Sequence, residues 1–531
     1  MRYQVYILAV VVSLLALALR LVDVATGVLL AVAGPFALLG TWDMFLSRHN
    51  LLRNYPIVGH LRWLLEGIRP QIHQYFIESD TSGRPFDRNQ RSIIYERAKN
   101  VIDKKSYGTE LDVYASEYEW LNHAIVSKPK PEKLFRTTIG GPQCARPYSA
   151  SVYNISAMSF GSLGAKAILA LNKGAKLGGF AHDTGEGGIS RYHLEHGGDL
   201  IWEIGSGYFG CRRPDGSFDS DAFKQQCRND QVKMVEIKLS QGAKPGHGGV
   251  LPGAKVSREI AQTRGIPVGQ DCISPSCHST FSTPVELLEF VARLRELADG
   301  KPTGFKLCIG HRWEFLAVCK AMVKTGILPD FIVVDGSEGG TGAAPLEFSD
   351  YLGTPLREGL LFVHNALVGI GLRNKIKIGA SGKVVTGFGM AANMALGADW
   401  CNSARGFMFA LGCVQSQQCH TDRCPTGVTT QNPWRQRAIV VTDKAERVFQ
   451  FHRHTVTALA EVVAAAGLEH PSELHPWHIQ HRLSPVDAKP ADHVYHFLKQ
   501  EELLEGVTDS AWRRYWEMAD ADSFLPRMGS H

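Results

Sequence analysis

Residues 331–345, FIVVDGSEGGTGAAP, contain a short apolar run, rich in β-branched side chains, that leads directly into a glycine-rich loop. The run 331–334 is typical of a buried β-strand. Four glycines close behind a strand let the backbone approach a phosphate or a flat ring, and its N–H groups can form an anion-binding nest. A plain glycine-rich turn is the alternative interpretation.

The same arrangement recurs along the chain after Arg146. The candidate strands are 153–157, 234–239, 304–309, 331–334 and 376–379. The candidate helices are 164–177, 283–298, 313–324, 359–371 and 384–395. This alternation predicts a parallel sheet, and polar glycine- and serine-rich loops at the strand ends favour a (β/α)8 TIM barrel with its catalytic face there. An open doubly wound sheet is the alternative, but no GxGxxG follows a strand.

Composition excludes several classes of protein. The chain has 531 residues, 44% of them hydrophobic, which is ordinary for a globular protein and argues against general disorder. A formal charge of +5 over this length gives little reason to expect a nucleic-acid partner. The 11 cysteines are odd in number, so a disulfide framework is not expected.

The N-terminus reads as a transmembrane helical hairpin. Two apolar runs, 5–19 and 24–42, are separated by a short break that contains Arg20 and Asp23. Arginines precede and follow the pair, so the positive-inside rule places both ends, and the catalytic domain, in the cytoplasm. A secretory signal peptide is the alternative, which the second apolar run fits poorly. We therefore expect a two-helix protein of the cytoplasmic membrane.

These patterns predict four segments. They are a transmembrane hairpin at 1–45, a helical connector at 46–140, a barrel domain at 141–470 and a helical C-terminal tail at 471–531.

Three cysteines form the sharpest chemical motif. Cys413, Cys419 and Cys424 follow a C-x5-C-x4-C pattern, with a proline directly after the last. Three thiolates within 12 residues suit an iron–sulfur cluster, either a three-iron cluster or a four-iron cluster with an outside ligand. A zinc site with His420 as fourth ligand and a set of buried structural thiols are the alternatives.

Charged residues in glycine-rich loops give a second chemical signal. Lys238 and Lys244 lie six residues apart in EIKLSQGAKPGHGG and could hold the carboxylates of a dianion, although a lone lysine is more often a solvated surface charge. Glu186 lies between glycines in DTGEGG, where a packing role is hard to assign.

The order of these motifs resembles the FMN-binding synthase domain of glutamate synthase. SAMSFG, DTGEGG, EIKLSQGAKPGHGG, ISPSCHS, DGSEGGTGAAP and ALGC…CH…CPTGV follow one another between about 153 and 467. The resemblance implies an FMN-binding (β/α)8 barrel with a 3Fe-4S cluster. It also implies addition of ammonia to 2-oxoglutarate and reduction of the imine to glutamate.

The resemblance assigns roles residue by residue. Cys413, Cys419 and Cys424 match the cluster ligands, and Lys306 matches a strand lysine beside the flavin, where a cation would stabilise the reduced ring. Glu186 matches an acidic residue of the 2-oxoglutarate site. The other flavin-site matches are Met158, Ser159, Gly339, Gly340, Ser381 and Gly382. The other 2-oxoglutarate-site matches are Lys238, Lys244 and Arg264.

Departures from the family lie around the oxo-acid pocket. His247 replaces a glutamate, Val250 replaces a glutamine, and 275–279 read PSCHS instead of a PPPHH-like segment. The resemblance therefore specifies the cofactors more closely than the substrate. The chain begins with an apolar run instead of a nucleophilic cysteine, so we expect no glutamine hydrolysis, and ammonia would come from a separate subunit.

The leading hypothesis is an oxidoreductase that reduces the imine of a 2-oxo acid or oxidises the amino acid, with electrons from a ferredoxin-like or reductase partner. One alternative is a different flavin barrel enzyme with a rebuilt pocket. Another is a membrane-tethered electron-relay subunit, which would not need the charges of Glu186, Lys238, Lys244 and Arg264.

Overall fold

A computed structural model describes residues 3–19, 24–101, 104–242 and 245–527. The chain divides into two compact units, Met1–Asn89 and Gln90–His531.

The larger unit contains a closed barrel of eight parallel strands, which confirms the predicted TIM barrel. Every strand pairs with its neighbours in chain order, and the eighth closes the barrel against the first. The strands are β1 (Tyr153–Ile155), β2 (His182–Asp183), β3 (Leu200–Ile204), β4 (Val232–Lys238), β5 (Thr303–Leu307), β6 (Phe331–Asp335), β7 (Lys377–Ser381) and β8 (Trp400–Ser403).

Helices follow the strands and cover the barrel. The longer ones are Ala165–Gly178, Ser220–Cys227, Pro284–Leu297, Arg312–Thr325, Leu356–Gly369, Gly387–Ala395 and Val441–Ala465. The shorter ones are Arg191–Leu194, Arg258–Arg264, Leu346–Asp350, Arg405–Ala410 and Pro433–Gln436, with 3-10 turns at Gly253–Lys255 and Arg373–Lys375. Because helices lie outside and side chains fill the interior, the strands are buried on both faces.

A β-hairpin closes the amino-terminal end of the barrel. Its strands, Arg136–Ile139 and Tyr148–Ser151, pair antiparallel. Ile139 and Tyr148 pack in one buried cluster with residues at the strand starts, including Phe331 and Trp400. This end is therefore filled, and the carboxyl-terminal end remains for chemistry.

A long segment between β4 and the helix Pro284–Leu297 lies at the carboxyl-terminal end. Within it, Val250–Leu251 pairs antiparallel with Cys272–Ile273, and the helix Arg258–Arg264 lies between these two strands in sequence. The departures from the family pattern, His247, Val250 and 275–279, belong to this segment.

The connector and the tail contain strands where the sequence predicts helices alone. Glu119–Leu121 pairs with Ile479–Ser484, which pairs in turn with Asp487–Pro490. The physical reason is a period of two, since Ile479 and His481 are buried while the residues between them are not. The remaining elements are the helices Arg88–Ala98, Ala491–Val494, Glu502–Glu505 and Ser510–Met518, and the 3-10 turns Pro471–Glu473 and Pro476–His478.

The N-terminal unit begins with two apolar helices, Gln4–Leu19 and Val24–Phe45. The Tyr6 hydroxyl lies 3.1 Å from the Thr41 hydroxyl, so the start of the first helix meets the end of the second, as in a hairpin. One of them, over Ala25–Phe45, is long and apolar enough to cross a bilayer, whereas Gln4–Leu19 has 16 residues. Arg20 and Asp23, predicted to separate the helices, lie outside the described residues.

Three further helices follow in this unit. They are Asn50–Asn54, His60–Ile72 and a π-helical turn, His73–Ile77.

Candidate active site

The ends of β2 and β4 bring two of the predicted site residues together. Lys238 is the last residue of β4, and Glu186 lies three residues beyond β2. Lys238 Nζ is 3.1 Å from Glu186 Oε1, and both side chains are largely shielded from solvent. Nε2 of His278 lies 2.9 Å from the carbonyl oxygen of Lys238. Burial lowers the pKa of His278 to about 4, so its imidazole is neutral at pH 7.

The other two predicted substrate ligands are Lys244 and Arg264. Lys244 lies outside the described residues. Arg264 ends a short helix and is 5% exposed. Its Nη2 donates to the hydroxyl of Ser159 at 3.2 Å and to the carbonyl of Phe160 at 3.1 Å. The guanidinium therefore holds the strand-end segment that also contains Met158.

Lys306 lies inside the barrel in a cluster of carboxylates. Its ammonium is bonded to Glu203 of β3 and lies 3.3 Å from Glu236 Oε1 of β4. Ligand-type oxygens of Asp183, Glu203 and Glu236 all lie within 4.8 Å of one another, which is a spacing that could suit a metal ion. The lysine ammonium is the cation that these carboxylates already share.

Burial and crowding change the protonation of this cluster. Burial, followed by the nearby Glu203, raises the pKa of Asp183 to about 7. Burial also raises the pKa of Glu236 well above its ordinary value. Burial alone would lower the pKa of Lys306, but Glu203 and Glu236 outweigh it and raise that pKa. The lysine therefore stays charged, and the cluster holds an exchangeable proton near neutral pH.

Glycine-rich loops follow β6 and β7 at the carboxyl-terminal end of the barrel. A Cβ at Gly340 would lie 3.1 Å from Nη2 of Arg405, so a cation faces this loop. Arg405 starts the short helix after β8. Ser381, at the end of β7, is buried with its hydroxyl 3.3 Å from that of Ser156. The loops after strands seven and eight are the usual phosphate position in TIM barrels.

The other predicted glycines lie in the same loops. Gly339 follows β6, and a Cβ there would lie 3.0 Å from the carbonyl oxygen of Gly336. Gly382 directly follows β7, where a Cβ would lie 3.1 Å from the Leu356 side chain. Larger residues would crowd both positions.

The three predicted cluster cysteines share one loop, which starts two residues after the helix Arg405–Ala410. Burial raises the pKa of Cys413 to about 11. Burial also acts to raise the pKa of Cys424, but hydrogen bonds from Thr429 and Thr426 outweigh it and lower the pKa. The hydroxyl of Tyr95 donates to the carbonyl of Cys413 at 2.5 Å. All eleven cysteines are free thiols.

Lys255 connects the cysteine loop to the segment after β1. This lysine is 2% exposed, and its Nζ donates to the carbonyl of Ser162 at 2.6 Å and to the carbonyl of Cys419 at 3.3 Å. Gln431 makes a parallel connection, since its Nε2 donates to the carbonyls of Gly161 and Leu163. The cysteine loop and the segment 158–163, which begins with the predicted flavin residues Met158 and Ser159, are therefore neighbours.

A basic aromatic patch covers the outside of the cysteine loop. Trp434 is 72% exposed, and the guanidinium of Arg437 lies 4.6 Å from the centre of its ring. Arg435 donates to the carbonyls of Arg423 and Cys424 at 3.2 and 3.5 Å. Between residues 413 and 440 the sequence has one acidic residue, Asp422, which accepts a hydrogen bond from the backbone of Gln431.

Sequence reasoning missed several of these residues. Lys255 follows Pro252, Gly253 and Ala254, a turn-like sequence in which a lysine normally indicates a solvated surface. Glu236 lies inside the predicted strand 234–239 and Glu203 inside the apolar run 200–204, and a charge in such a run is a usable signal. Arg405 could have been found from its position directly after a final barrel strand.

Comparison with known proteins gives consistent matches. Residues 139–469 match the family described as a conserved region in glutamate synthase. The chain is 37% identical over 490 residues to the glutamate synthase large subunit-like protein YerD of Bacillus subtilis, covering 85% of this chain and 93% of that protein. It is 35% identical over 319 residues to an archaeal glutamate synthase (NADPH) of Methanocaldococcus jannaschii, covering 59% of this chain and 58% of that one.

Among solved structures, flavocytochrome b2 with pyruvate bound aligns at 13% identity with a TM-score of 0.41. That alignment covers 86% of this chain and 93% of the other.

Proposed function

This chain belongs to the glutamate synthase family and is a glutamate synthase-like oxidoreductase, and from that premise we propose that it uses FMN and a 3Fe-4S cluster to interconvert a 2-oxo acid and its amino acid. In this proposal the imine of the 2-oxo acid is reduced, or the amino acid is oxidised in the reverse direction. Ammonia would come from a separate source.

One observation carries the proposal. Lys255 donates one hydrogen bond to the cysteine loop and another to the segment after β1, so two parts of the chain that would hold different redox groups are adjacent. A zinc site or a set of structural thiols would not need to adjoin the strand-end segment. Adjacent redox groups are what an enzyme needs when single electrons must reach a two-electron reaction.

The residues present fit both groups. The guanidinium of Arg405, which faces Gly340, suits the phosphate of FMN. The free thiols of Cys413, Cys419 and Cys424 in one loop suit iron, which binds the deprotonated thiolate. When bound, FMN would supply hydride transfer and the cluster would supply single electrons. Lys306 would keep a positive charge inside the barrel below the site.

The Glu186–Lys238 pair suits an amino acid or its 2-oxo acid. An amino acid carries an ammonium group beside a carboxylate, and these two side chains present the opposite charges 3.1 Å apart. Lys238 would bind the carboxylate, and Glu186 would bind the ammonium group or incoming ammonia. Arg264 would act by holding Ser159 in place. This arrangement favours an enzyme over an electron-relay subunit.

The basic patch around Trp434 suits a negatively charged electron carrier, such as a ferredoxin-like protein. It lies over the loop of Cys419 and Cys424, and arginine and tryptophan are enriched at protein interfaces. Electrons delivered there would have a short path to the cluster.

The apolar N-terminal helices support membrane attachment. We propose that they anchor the chain as a hairpin in the cytoplasmic membrane with the barrel in the cytoplasm. A secretory signal segment is the alternative that their position near the N-terminus allows.

A substrate screen under argon tests the proposed reaction. The purified protein is mixed with single amino acids, and flavin absorbance is followed; the dithionite-reduced protein is then mixed with 2-oxo acids plus ammonium. Selective bleaching by one amino acid and reoxidation by the matching 2-oxo acid are expected. Failure of every acid to change the oxidation state of a flavin-loaded sample would contradict the proposal and favour the relay alternative.

A further inference from the structure

The helix His60–Ile72 has an exposed apolar face. Every residue of this helix is at least partly exposed. Apart from Trp63, whose ring lies beside those of His49 and His60, the large apolar side chains lie on one side, at spacings of three and four residues. They are Leu61, Leu64, Leu65, Ile68 and Ile72, with exposures from 39% to 61%.

At 100° per residue these side chains occupy an arc of about 100°. One flank of this arc carries Arg62, Glu66 and Arg69, and Arg62 pairs with Glu66 at 4.0 Å. Leu61, Leu65 and Ile72 border an open groove of about 570 Å³, whose lining also includes Val58, Ile77 and the three charged residues of this flank. Phe76, in the π-helical turn that follows, is 84% exposed.

Large apolar side chains exposed side by side form a patch of the kind that marks a contact with a protein or a membrane. A helix with one strongly apolar face and arginines beside it is the type that lies in a membrane interface. With 13 residues and several charges, the helix is too short and too polar to span a bilayer.

The position of the helix is fixed relative to the apolar helix Val24–Phe45. Asp43, near the end of that helix, is buried, and its carboxylate accepts hydrogen bonds from the backbone N–H of Ile57 and from Nε2 of His60, each at 2.9 Å. If Val24–Phe45 crosses the bilayer, its end lies at the membrane surface. The bonds of Asp43 then hold the start of His60–Ile72 at the same level.

We propose that His60–Ile72 lies flat in the cytoplasmic interface of the membrane, with its apolar face in the acyl region. Arg62 and Arg69, together with Arg48 and Arg53 upstream, would contact anionic lipid headgroups. The inference rests on the membrane anchor proposed above and adds a second, interfacial contact to it. Residues 46–77 would then be a membrane-surface element and not a plain connector.

Photocrosslinking in vesicles tests this inference. The full-length protein is made with a benzophenone amino acid in place of Ile68, or in place of Glu66 on the polar side as a matched control. Each is reconstituted into vesicles of phosphatidylcholine, with or without phosphatidylglycerol. Irradiation should give a lipid adduct from position 68 and little from position 66. The position-68 adduct should increase when the anionic lipid is present.

A second variant shows that the apolar face is responsible. Leu65→Glu combined with Ile72→Glu should abolish the lipid adduct at position 68 while the chain stays in the vesicle fraction. Equal adducts at both positions, or a crosslink from position 68 to a second copy of the chain, would overturn the inference. So would a vesicle-bound chain with no lipid adduct, which would leave the anchor intact. Recovery of the chain in the aqueous fraction would refute the anchor itself.

Discussion

Replacing Lys238 with methionine separates substrate binding from cofactor binding. Lys238 Nζ is 3.1 Å from Glu186 and is positioned to bind a substrate carboxylate. A hydrogen bond to a charged group contributes about 1.5–3 kcal/mol, so its loss should lower kcat/KM for the acid substrate by roughly tenfold to more than a hundredfold. FMN and iron content should stay near wild type. The assay is steady-state turnover under argon, with flavin and iron measured on the same samples.

Two further variants sharpen this test. Lys233→Met removes the same charge near the amino-terminal end of the same strand and should leave kcat/KM unchanged. Arg264→Met should lower flavin content as well as turnover, because Arg264 holds Ser159 and Phe160 through hydrogen bonds. Unchanged kcat/KM in Lys238→Met with an identified acid substrate would refute the assignment and place the substrate elsewhere on the barrel face.

Other predictions concern the cluster, the buried charges and the docking patch. Lys255→Met should reduce the iron content and alter the absorbance of the cluster. The control is Lys301→Met, which removes another buried lysine that donates to backbone carbonyls; it should lower stability without a selective loss of iron. Because its pKa is raised from 3.8 to about 7 in the folded protein, Asp183 contributes stability that is fully present below pH 3.8 and is lost as the pH rises through about 7. The free energy of unfolding of Asp183→Asn, measured with urea, should therefore decline less over this pH range than that of the wild type. Arg435→Glu should slow cluster reduction by an acidic ferredoxin most strongly at low salt, and a rate independent of both the variant and the salt would contradict the docking patch.

Five strands of the barrel, β1 and β4 to β7, could be predicted from sequence because they contain short apolar or β-branched runs, several of them followed by glycine- and serine-rich loops. β3 (Leu200–Ile204) is not among the predicted strands. β2, with two residues, and β8, which ends in Asn402 and Ser403, carry too little apolar pattern to be recognised. The strand Glu119–Leu121 is missed for another reason, since it is stabilised by pairing with a strand over 350 residues later. A local pattern contains no information about such a pairing.

The residues of the candidate site likewise include some that the sequence identifies and some that it does not. Glu186 and Lys238 stand in distinctive glycine-rich surroundings, and the structure brings them together. Lys255 gives no local signal, because its importance comes from burial between two loops that are distant in sequence. The hydrogen bonds from Arg264 to Ser159 and Phe160 likewise depend on tertiary packing, so the sequence gives no sign of these contacts.

We propose that one barrel domain holds both a flavin and an iron–sulfur cluster. The most direct test is to measure iron, zinc, acid-labile sulfide and FMN per chain in protein purified under argon, for wild type and Cys419→Ser. We expect about three irons and one FMN in the wild type, and loss of iron in the variant because an alcohol is a poor ligand for this soft site. Stoichiometric zinc without iron in the wild-type protein would contradict it.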